Sequence, residues 1–150
     1  LEHRIGGLEK NHFGVLSNDP VNHETMVRER EQKVELIARD LPELKVLGPQ
    51  SGKLLVVSWG GTFGHVLSAW SECKEESVAF AHFDSIFPLP QNTRDVFASF
   101  ERILICELNN GQFAGWLRAR LPEFSYNQYN KVQGQPFLVS EIVKAIKDNL

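Results

Sequence analysis

The sequence has 150 residues, of which 42% are hydrophobic and 23% are charged, and it carries a formal net charge of -3. This composition is typical of one globular domain with its own apolar core, and it excludes both a largely disordered chain and a strongly basic nucleic-acid-binding surface. The sequence contains neither a run of about 18 apolar residues nor a signal peptide, so a cytoplasmic protein is expected. Because the chain opens on Leu1 and its only methionine is Met26, we expect it to be a piece of a longer protein.

The first forty residues predict an arm followed by a helix. Residues 1–19 have neither a helical nor a strand period and are rich in glycine and asparagine, which is typical of a connecting arm. The pair Asp19-Pro20 is typical of a helix start. The helix is predicted from about residue 20 to residue 41, on apolar residues at helical spacing: Val27, Val34, Ile37 and Leu41. We therefore divide the chain into a connecting arm, 1–19, and a domain, 20–150.

The rest of the chain alternates between strands and helices. Short, mostly apolar runs bounded by turn residues predict strands at 44–47, 53–59, 77–83 and 102–108. Helical spacing of apolar residues predicts helices that begin near Phe63, Thr93 and Gly111, and a last helix that Ser140 caps. Residues 124–129 and an irregular polar stretch through Gly134 precede the last helix. This order predicts an α/β protein whose mostly parallel sheet lies between helices.

The turn Gly60-Gly61-Thr62-Phe63-Gly64 joins a predicted buried strand to a helix. Backbone N–H groups and the helix dipole favour an anion at such a place, so a phosphate site is physically possible. However, the pattern is neither G-x-G-x-x-G nor a P-loop, and a tight turn needs glycine in any case. A structural turn is favoured, with Gly60, Gly61, Thr62 and Gly64 as weak cofactor-binding candidates.

Two further segments carry many polar side chains. Residues 107–112 follow a predicted central strand, at the end where open α/β sheets bind ligands, and they could contact a ligand, a partner subunit or the local backbone. Contact or helix capping is favoured there over catalysis. Residues 126–137 are rich in amides and aromatic rings, which suits either a subunit contact or an ordered surface loop. The interface candidates are Glu107, Asn109, Gln112, Tyr129, Asn130 and Gln133.

No catalytic or metal-binding residue is predicted. No serine lies in a nucleophile elbow, and neither Cys73 nor Cys106 has a histidine close in sequence. Two cysteines are too few for an iron–sulfur cluster held by four thiolates. The pair His23-Glu24 could open a zinc-binding H-E-x-x-H motif, but Val27 stands where the second histidine belongs.

Five ordered motifs resemble the α subunits of 2-oxoglutarate (2-oxoacid):ferredoxin oxidoreductases. They are residues 4–10 with 19–23, the W-G-[SG]-T-[YF]-G turn at 59–64, the A-x-A-H-x stretch at 79–83 with the P-[LF]-P corner at 88–90, E-L-N-x-G-Q at 107–112, and Y-N-K-V-x-G-x-P-F at 129–137. The resemblance implies the C-terminal domain of the α subunit. It also implies a fold similar to the C-terminal domain of transketolase, a three-layer sandwich around a mixed, mainly parallel sheet with an antiparallel edge.

The resemblance further implies a role within a larger enzyme. That enzyme oxidatively decarboxylates a 2-oxoacid with coenzyme A and gives acyl-CoA, carbon dioxide and reduced ferredoxin. Thiamine diphosphate with Mg²⁺ binds between the preceding α-subunit domain and the β subunit, which also carries the iron–sulfur cluster. None of the family's cofactor motifs maps onto these 150 residues. The chain is therefore expected to be an accessory domain, inactive alone, whose partners are the other α-subunit domains, the β subunit and, through the complex, ferredoxin.

Two other functions remain open from the sequence. One is an anion-binding or coenzyme A-binding module that uses the turn from Gly60 to Gly64. The other is a free-standing α/β regulatory or binding module that shares only the fold. The predicted connecting arm and the absent start methionine argue against the free-standing module.

Overall fold

The computed structural model describes residues 6–150 of the chain, and two units divide it, one up to Asp40 and the other from Leu41 to Leu150. The first five residues of the predicted arm, which include the start of its resemblance motif, lie outside the described residues. The predicted boundary between residues 19 and 20 stays a prediction.

The first unit consists of a small turn and one helix. Lys10 and Leu16 form an isolated antiparallel bridge. Helix α1 (Pro20–Ile37) begins as the sequence predicts, because the Asp19 carboxylate accepts the N–H of Val21 at 2.9 Å.

Helix α1 ends at Ile37, whereas the sequence predicts about residue 41. Pro42 explains part of the difference, because a proline disfavours the α conformation of the residue before it, here Leu41. No residue of α1 is buried, and Val27 on its predicted apolar stripe is 43% exposed. The predicted apolar stripe is present in the sequence, but none of its residues is buried.

The second unit is built on a five-stranded mixed sheet. Its strands are β1 (Val46–Leu47), β2 (Gly52–Trp59), β3 (Val78–Phe83), β4 (Phe100–Glu107) and β5 (Tyr126–Asn130). The spatial order is β1-β3-β2-β4-β5, and only the edge strand β1 pairs antiparallel. The predicted mostly parallel sheet with an antiparallel edge is confirmed.

Helices cover both faces of this sheet. They are α2 (Phe63–Cys73), α3 (Thr93–Ala98), α4 (Gln112–Arg120) and α5 (Val139–Asp148). Side chains of α2 and α5 share one core with the sheet, and side chains of α3 and α4 share the other. The three-layer sandwich is confirmed. No helix among residues 6–150 is long and apolar enough to cross a membrane.

The apolar runs of the central strands explain why both faces are covered. In β2, Leu54 and Val56 point into the core with α2 and α5, whereas Leu55 and Val57 point into the core with α3 and α4. Successive residues of a strand face opposite sides, so a continuous apolar run fits a strand that is buried twice. Cys106 of β4 is part of this packing, and burial raises the pKa of its thiol to about 12.

Helix α5 begins at Val139, one residue before the predicted cap at Ser140. The side chain that caps it is Glu141, whose Oε2 accepts the N–H of Leu138 at 2.9 Å. A carboxylate in the first turn satisfies a free N–H and complements the helix dipole, so it replaces the serine in this role.

Candidate functional site

The segments singled out in the sequence meet at one edge of the sheet. The four parallel strands all end there, at Trp59, Phe83, Glu107 and Asn130. This is the edge where open α/β sheets bind ligands. The structure therefore brings the turn at 60–64, the segment at 107–112 and the loop after β5 to the same side of the molecule.

Glu107 is fully buried at this edge, and both of its carboxylate oxygens have internal partners. Oε2 accepts the backbone N–H of Phe113 at 2.8 Å and the indole N–H of Trp59 at 3.3 Å, and Oε1 accepts the N–H of Ala114 at 2.9 Å. Two of these donors belong to the first turn of α4, where N–H groups have no partner within the helix. Of the roles left open for Glu107, its contacts are those of a helix cap.

Asn109 completes the same cap. Its Oδ1 accepts the N–H groups of Gly111 at 2.7 Å and Gln112 at 2.9 Å. Together with the two N–H groups that Glu107 binds, four successive donors at the start of α4 are satisfied by side chains. The motif at residues 107–112 is thus a capping device, and these four donors are already used.

The crevice between β2 and β4 is bridged by side chains. The order β3-β2-β4 makes this the point where the chain reverses direction across the sheet, which is the usual ligand crevice of the fold. The indole of Trp59, at the end of β2, donates across it to Glu107, at the end of β4. A hydrogen-bonded pair therefore occupies the place where a ligand would ordinarily enter.

Position 111 requires glycine, both because of its backbone conformation and because of the side chains around it. Its φ is +85°, and a Cβ at this position would collide with the side-chain amides of Gln128 and Asn130. We expect Gly111→Ala to lower the free energy of unfolding by about 2 kcal/mol, because a left-handed alanine is strained and the amides must move.

Gly115→Ala is the matched control for this change. Gly115 lies inside the same helix, α4, and a Cβ there would meet nothing within 4 Å. Its replacement should raise stability by about 0.5–1 kcal/mol through helix propensity. Urea denaturation of both variants measures the two effects, and equal effects would contradict the requirement for glycine at position 111.

The turn from Gly60 to Gly64 is more open than a glycine-rich sequence suggests. Gly60 has a φ of +58°, but a Cβ on Gly60, Gly61 or Gly64 would meet nothing within 4 Å. Thr62 is buried and holds the turn, because its hydroxyl donates to the Trp59 carbonyl at 2.7 Å. Conformation therefore requires glycine only at Gly60. The interpretation of this turn as an anion or coenzyme A site stays a prediction.

A contact that sequence reasoning missed lies beside this turn. Ser58 of β2 and His82 of β3 stand opposite each other in register, and Ser58 Oγ lies 2.7 Å from His82 Nδ1. Ser58 is fully buried and His82 is partly buried, and burial lowers the pKa of the imidazole. The sequence shows His82 only as one letter of a motif, because a single sequence does not reveal the register of two strands.

The loop after β5 is held by a buried lysine. The Lys131 ammonium donates to the Pro136 carbonyl at 3.0 Å and to the Glu141 oxygens at 3.0 and 2.8 Å. The rings of Tyr129 and Phe137 lie against each other, with centroids 5.7 Å apart. These contacts fix both ends of the loop, whose tip at residues 132–136 is exposed.

The interface candidates differ in their exposure. Asn109 and Tyr129 are half-buried, whereas Gln112, Asn130 and Gln133 are exposed. Gln112 lies beside an apolar groove of about 270 Å³, and Arg120 stacks near the rim of this groove, 5.7 Å from the ring centroids of Phe87 and Trp116. Glu107 is buried and offers a partner no free oxygen. The assignment of these residues to an interface stays a prediction.

Groups of three or more His, Cys, Asp or Glu side chains that could hold a metal ion do not occur within residues 6–150. The two cysteines also lie on different elements, the partly buried Cys73 on α2 and the buried Cys106 on β4. Burial raises the pKa of both thiols, which favours the protonated form over the thiolate that binds metals.

No protein-family model matches the chain. Over 98% of its length it is 36% identical to 2-oxoglutarate oxidoreductase subunit KorA of Mycobacterium tuberculosis, and over 95% it is 31% identical to the α subunit of 2-oxoacid:ferredoxin oxidoreductase 2 of Aeropyrum pernix. In each case the alignment covers 23% of the relative.

A solved structure has the same fold. It is 2-oxoglutarate:ferredoxin oxidoreductase from Magnetococcus marinus with 2-oxoglutarate, coenzyme A and succinyl-CoA bound. The superposition has a TM-score of 0.88 at 26% identity and covers 99% of this chain but 27% of that one. The chain thus spans about a quarter of the length of the proteins that it matches. Its sequence and fold place it in the family of 2-oxoacid:ferredoxin oxidoreductase α subunits, where it corresponds to their C-terminal domain.

Proposed function

We propose that the chain is an accessory domain that helps to assemble a thiamine-diphosphate-dependent 2-oxoglutarate:ferredoxin oxidoreductase. The observation that carries the proposal is the alignment with subunit KorA, which takes in 98% of this chain at 36% identity while leaving most of the relative unmatched. In the whole enzyme, a 2-oxoacid would be oxidatively decarboxylated to an acyl-CoA with reduction of ferredoxin. This chain would contribute a packed domain, not the reacting groups.

The chemistry of the carboxyl edge supports an accessory role. Glu107 and Asn109 use their oxygens to cap α4, and Ser58 is fully buried. None of these three side chains presents a free nucleophile or base to solvent, which catalysis at this edge would need. In this proposal the isolated chain does not oxidise 2-oxoacids.

The cofactors of the whole enzyme would lie on other parts of it. A cluster ligated by four thiolates exceeds the two cysteines of this chain, and Cys106 is fully buried. We therefore assign the iron–sulfur cluster, thiamine diphosphate and Mg²⁺ to the rest of the complex. The partners of this chain would be the other α-subunit domains and the β subunit, with ferredoxin reached through the complex.

The first unit carries the surface that best fits docking. Phe13 is 82% exposed, and three further apolar residues of this unit are also exposed: Leu8, Leu16 and Val21. A helix of 18 residues without one buried side chain gains little from tertiary packing, which supplies most helix stability in proteins. The relatives align across this unit and are about four times longer. We therefore assign the remainder of the α subunit as the partner that covers this surface.

Reconstitution tests the proposal. The chain would be mixed with the β subunit and the remaining segment of the α subunit from the same genome, and complex formation would be followed by size-exclusion chromatography with light scattering. We expect one assembly that contains all three polypeptides. Phe13→Asp should weaken its formation at least about tenfold, because a charge replaces an apolar contact.

Asn18→Asp is the matched control, since it adds a charge to the same unit at an exposed polar position. It should leave assembly unchanged. Circular dichroism would establish that both variants keep the fold. A chain that stays separate from the other two polypeptides under every condition would exclude the accessory role, and equal assembly of the two variants would exclude this surface.

A further inference from the structure

A cleft on the second unit, separate from the capped start of α4, has the lining of a small-molecule site. Its volume is about 420 Å³, and its walls come from β1, β3 and the start of α2: Lys45, Leu47, Gly60, Phe63, Phe80, His82 and Asp84. A second hollow of about 350 Å³ adjoins it and shares Lys45, His82 and Asp84. Pockets of about 300–1,000 Å³ with apolar walls and a few convergent polar groups are typical of ligand sites.

The hydrogen bond with Ser58 determines the tautomer of His82, and so determines which ring nitrogen can donate into the cleft. The buried Ser58 hydroxyl has His82 as its hydrogen-bond partner among the described residues, so its proton is satisfied by donation to Nδ1. Burial lowers the pKa of the imidazole, which leaves the ring neutral at pH 7. The one ring proton is then on Nε2, so His82 can donate a hydrogen bond from Nε2 to a ligand in the cleft.

Asp84 supplies an acceptor next to that donor. Its Oδ1 lies 3.9 Å from His82 Nε2, which is too long for a direct hydrogen bond. The Asp84 side chain is 93% exposed, whereas that of His82 is 12% exposed. The two groups therefore present an acceptor and a donor side by side, separated by a gap that the edge of a ligand can bridge.

The walls of the cleft favour a flat ring. Phe63 stands edge-on to His82, with centroids 5.0 Å apart, and its own side chain is 44% exposed. Phe80 and Leu47 close the apolar side. Adenine presents an exocyclic N–H₂ donor beside a ring-nitrogen acceptor on one edge, which is the complement of Asp84 and His82. Aromatic side chains bind the faces of such bases.

We propose that this cleft binds the base of an adenine nucleoside, with Asp84 accepting from the exocyclic amine, His82 Nε2 donating to a ring nitrogen and Phe63 contacting the ring. Ser58 acts as a positioning residue, because it holds the His82 ring in the donor form. Lys45 also lines the cleft, where it would meet a phosphate of a nucleotide.

Isothermal titration calorimetry of the 150-residue chain with adenosine tests the assignment. We expect a dissociation constant at or below about 1 mM, and binding of inosine that is at least about tenfold weaker, because inosine carries a carbonyl where adenosine has its amine. Asp84→Asn should lower the affinity for adenosine about tenfold, since it replaces a charged acceptor at an exposed position where the fold does not depend on it. Asp95→Asn, an exposed change on α3, is the control and should alter nothing.

His82→Phe removes the donor and keeps an aromatic ring, and it should lower the affinity for adenosine about tenfold while the preference over inosine, which Asp84 sets, remains. If this variant does not fold, as judged by circular dichroism, Asp84→Asn decides alone. Absence of heat or saturation with adenosine at about 10 mM would overturn the proposal. Equal affinity for adenosine and inosine, or unchanged binding by Asp84→Asn, would overturn it as well. Tighter binding of nicotinamide than of adenosine would assign the cleft to a primary amide instead of a purine.

Discussion

Replacing Glu107 by leucine is expected to lower the free energy of unfolding by about 3–4 kcal/mol, the larger of the two strongest effects that we predict. The change leaves the N–H groups of Phe113 and Ala114 and the indole N–H of Trp59 without their acceptor inside the protein. Each buried donor without a partner costs about 1–3 kcal/mol, and leucine cannot supply a lone pair. Urea denaturation followed by circular dichroism measures the loss.

Two glutamine variants separate capping from general effects of the strand. Glu107→Gln keeps one oxygen acceptor but turns an amide donor toward an N–H donor, so we expect a loss of about 2 kcal/mol. Glu101→Gln changes an exposed glutamate on the same strand, β4, and should stay within about 0.5 kcal/mol of the wild type. Equal losses for the two variants would show that the carboxylate of Glu107 does not stabilise the start of α4.

Replacing Lys131 by methionine is expected to lower the free energy of unfolding by about 2–3 kcal/mol. Methionine fills the space of the lysine stem, but it leaves the Pro136 carbonyl and Glu141 Oε1 without their donor, and Glu141 Oε2 keeps only the N–H of Leu138. The Glu141 side chain is 28% exposed, so water restores part of what is lost, and the effect stays at the lower end for a broken buried ion pair. Faster proteolysis between Val132 and Gln135 should accompany the loss, because the loop is no longer fixed at its base.

Lys144→Met is the matched control, since Lys144 forms an exposed ion pair with Asp148 one helical turn away. Exposed pairs of this kind contribute little, so its removal should change stability by less than about 0.5 kcal/mol. A loss for Lys144→Met as large as that for Lys131→Met would contradict the special role of the buried ammonium.

Lys131→Met should also change how the free energy of unfolding depends on pH. Hydrogen bonds from Lys131 first, and from the Leu138 N–H second, hold the pKa of Glu141 below its ordinary value of 4.5. A carboxyl whose pKa is depressed by folding contributes stability above its unfolded pKa and loses it as the pH falls through the folded pKa. The wild type should therefore lose more stability than Lys131→Met as the pH is lowered below 4.5.

The sequence by itself predicted the layers of the fold. Strands β2, β3 and β4 were predicted because their apolar runs are local and continuous, and such runs are stable only when both faces of a strand are covered. The start of α1 at Asp19-Pro20 was predicted for a similar reason, since a cap and the proline after it act on neighbouring residues. Capping by Glu107 and Asn109 could also be predicted as one alternative, because every helical N–H that they bind lies within seven residues of them in the sequence.

The tertiary structure alone decided which distant side chains meet. The bond from Trp59 to Glu107 joins residues 48 positions apart, and the contact between Ser58 and His82 depends on the register of two parallel strands. A single sequence contains no repeating pattern from which the partner of a polar side chain or the register of two strands could be predicted. The cleft beside His82 has the same origin, because its walls come from segments that only folding brings together. The sequence thus determined the elements and the layers through local periodicity, and packing between distant elements determined the closed crevice, the buried lysine and the open cleft.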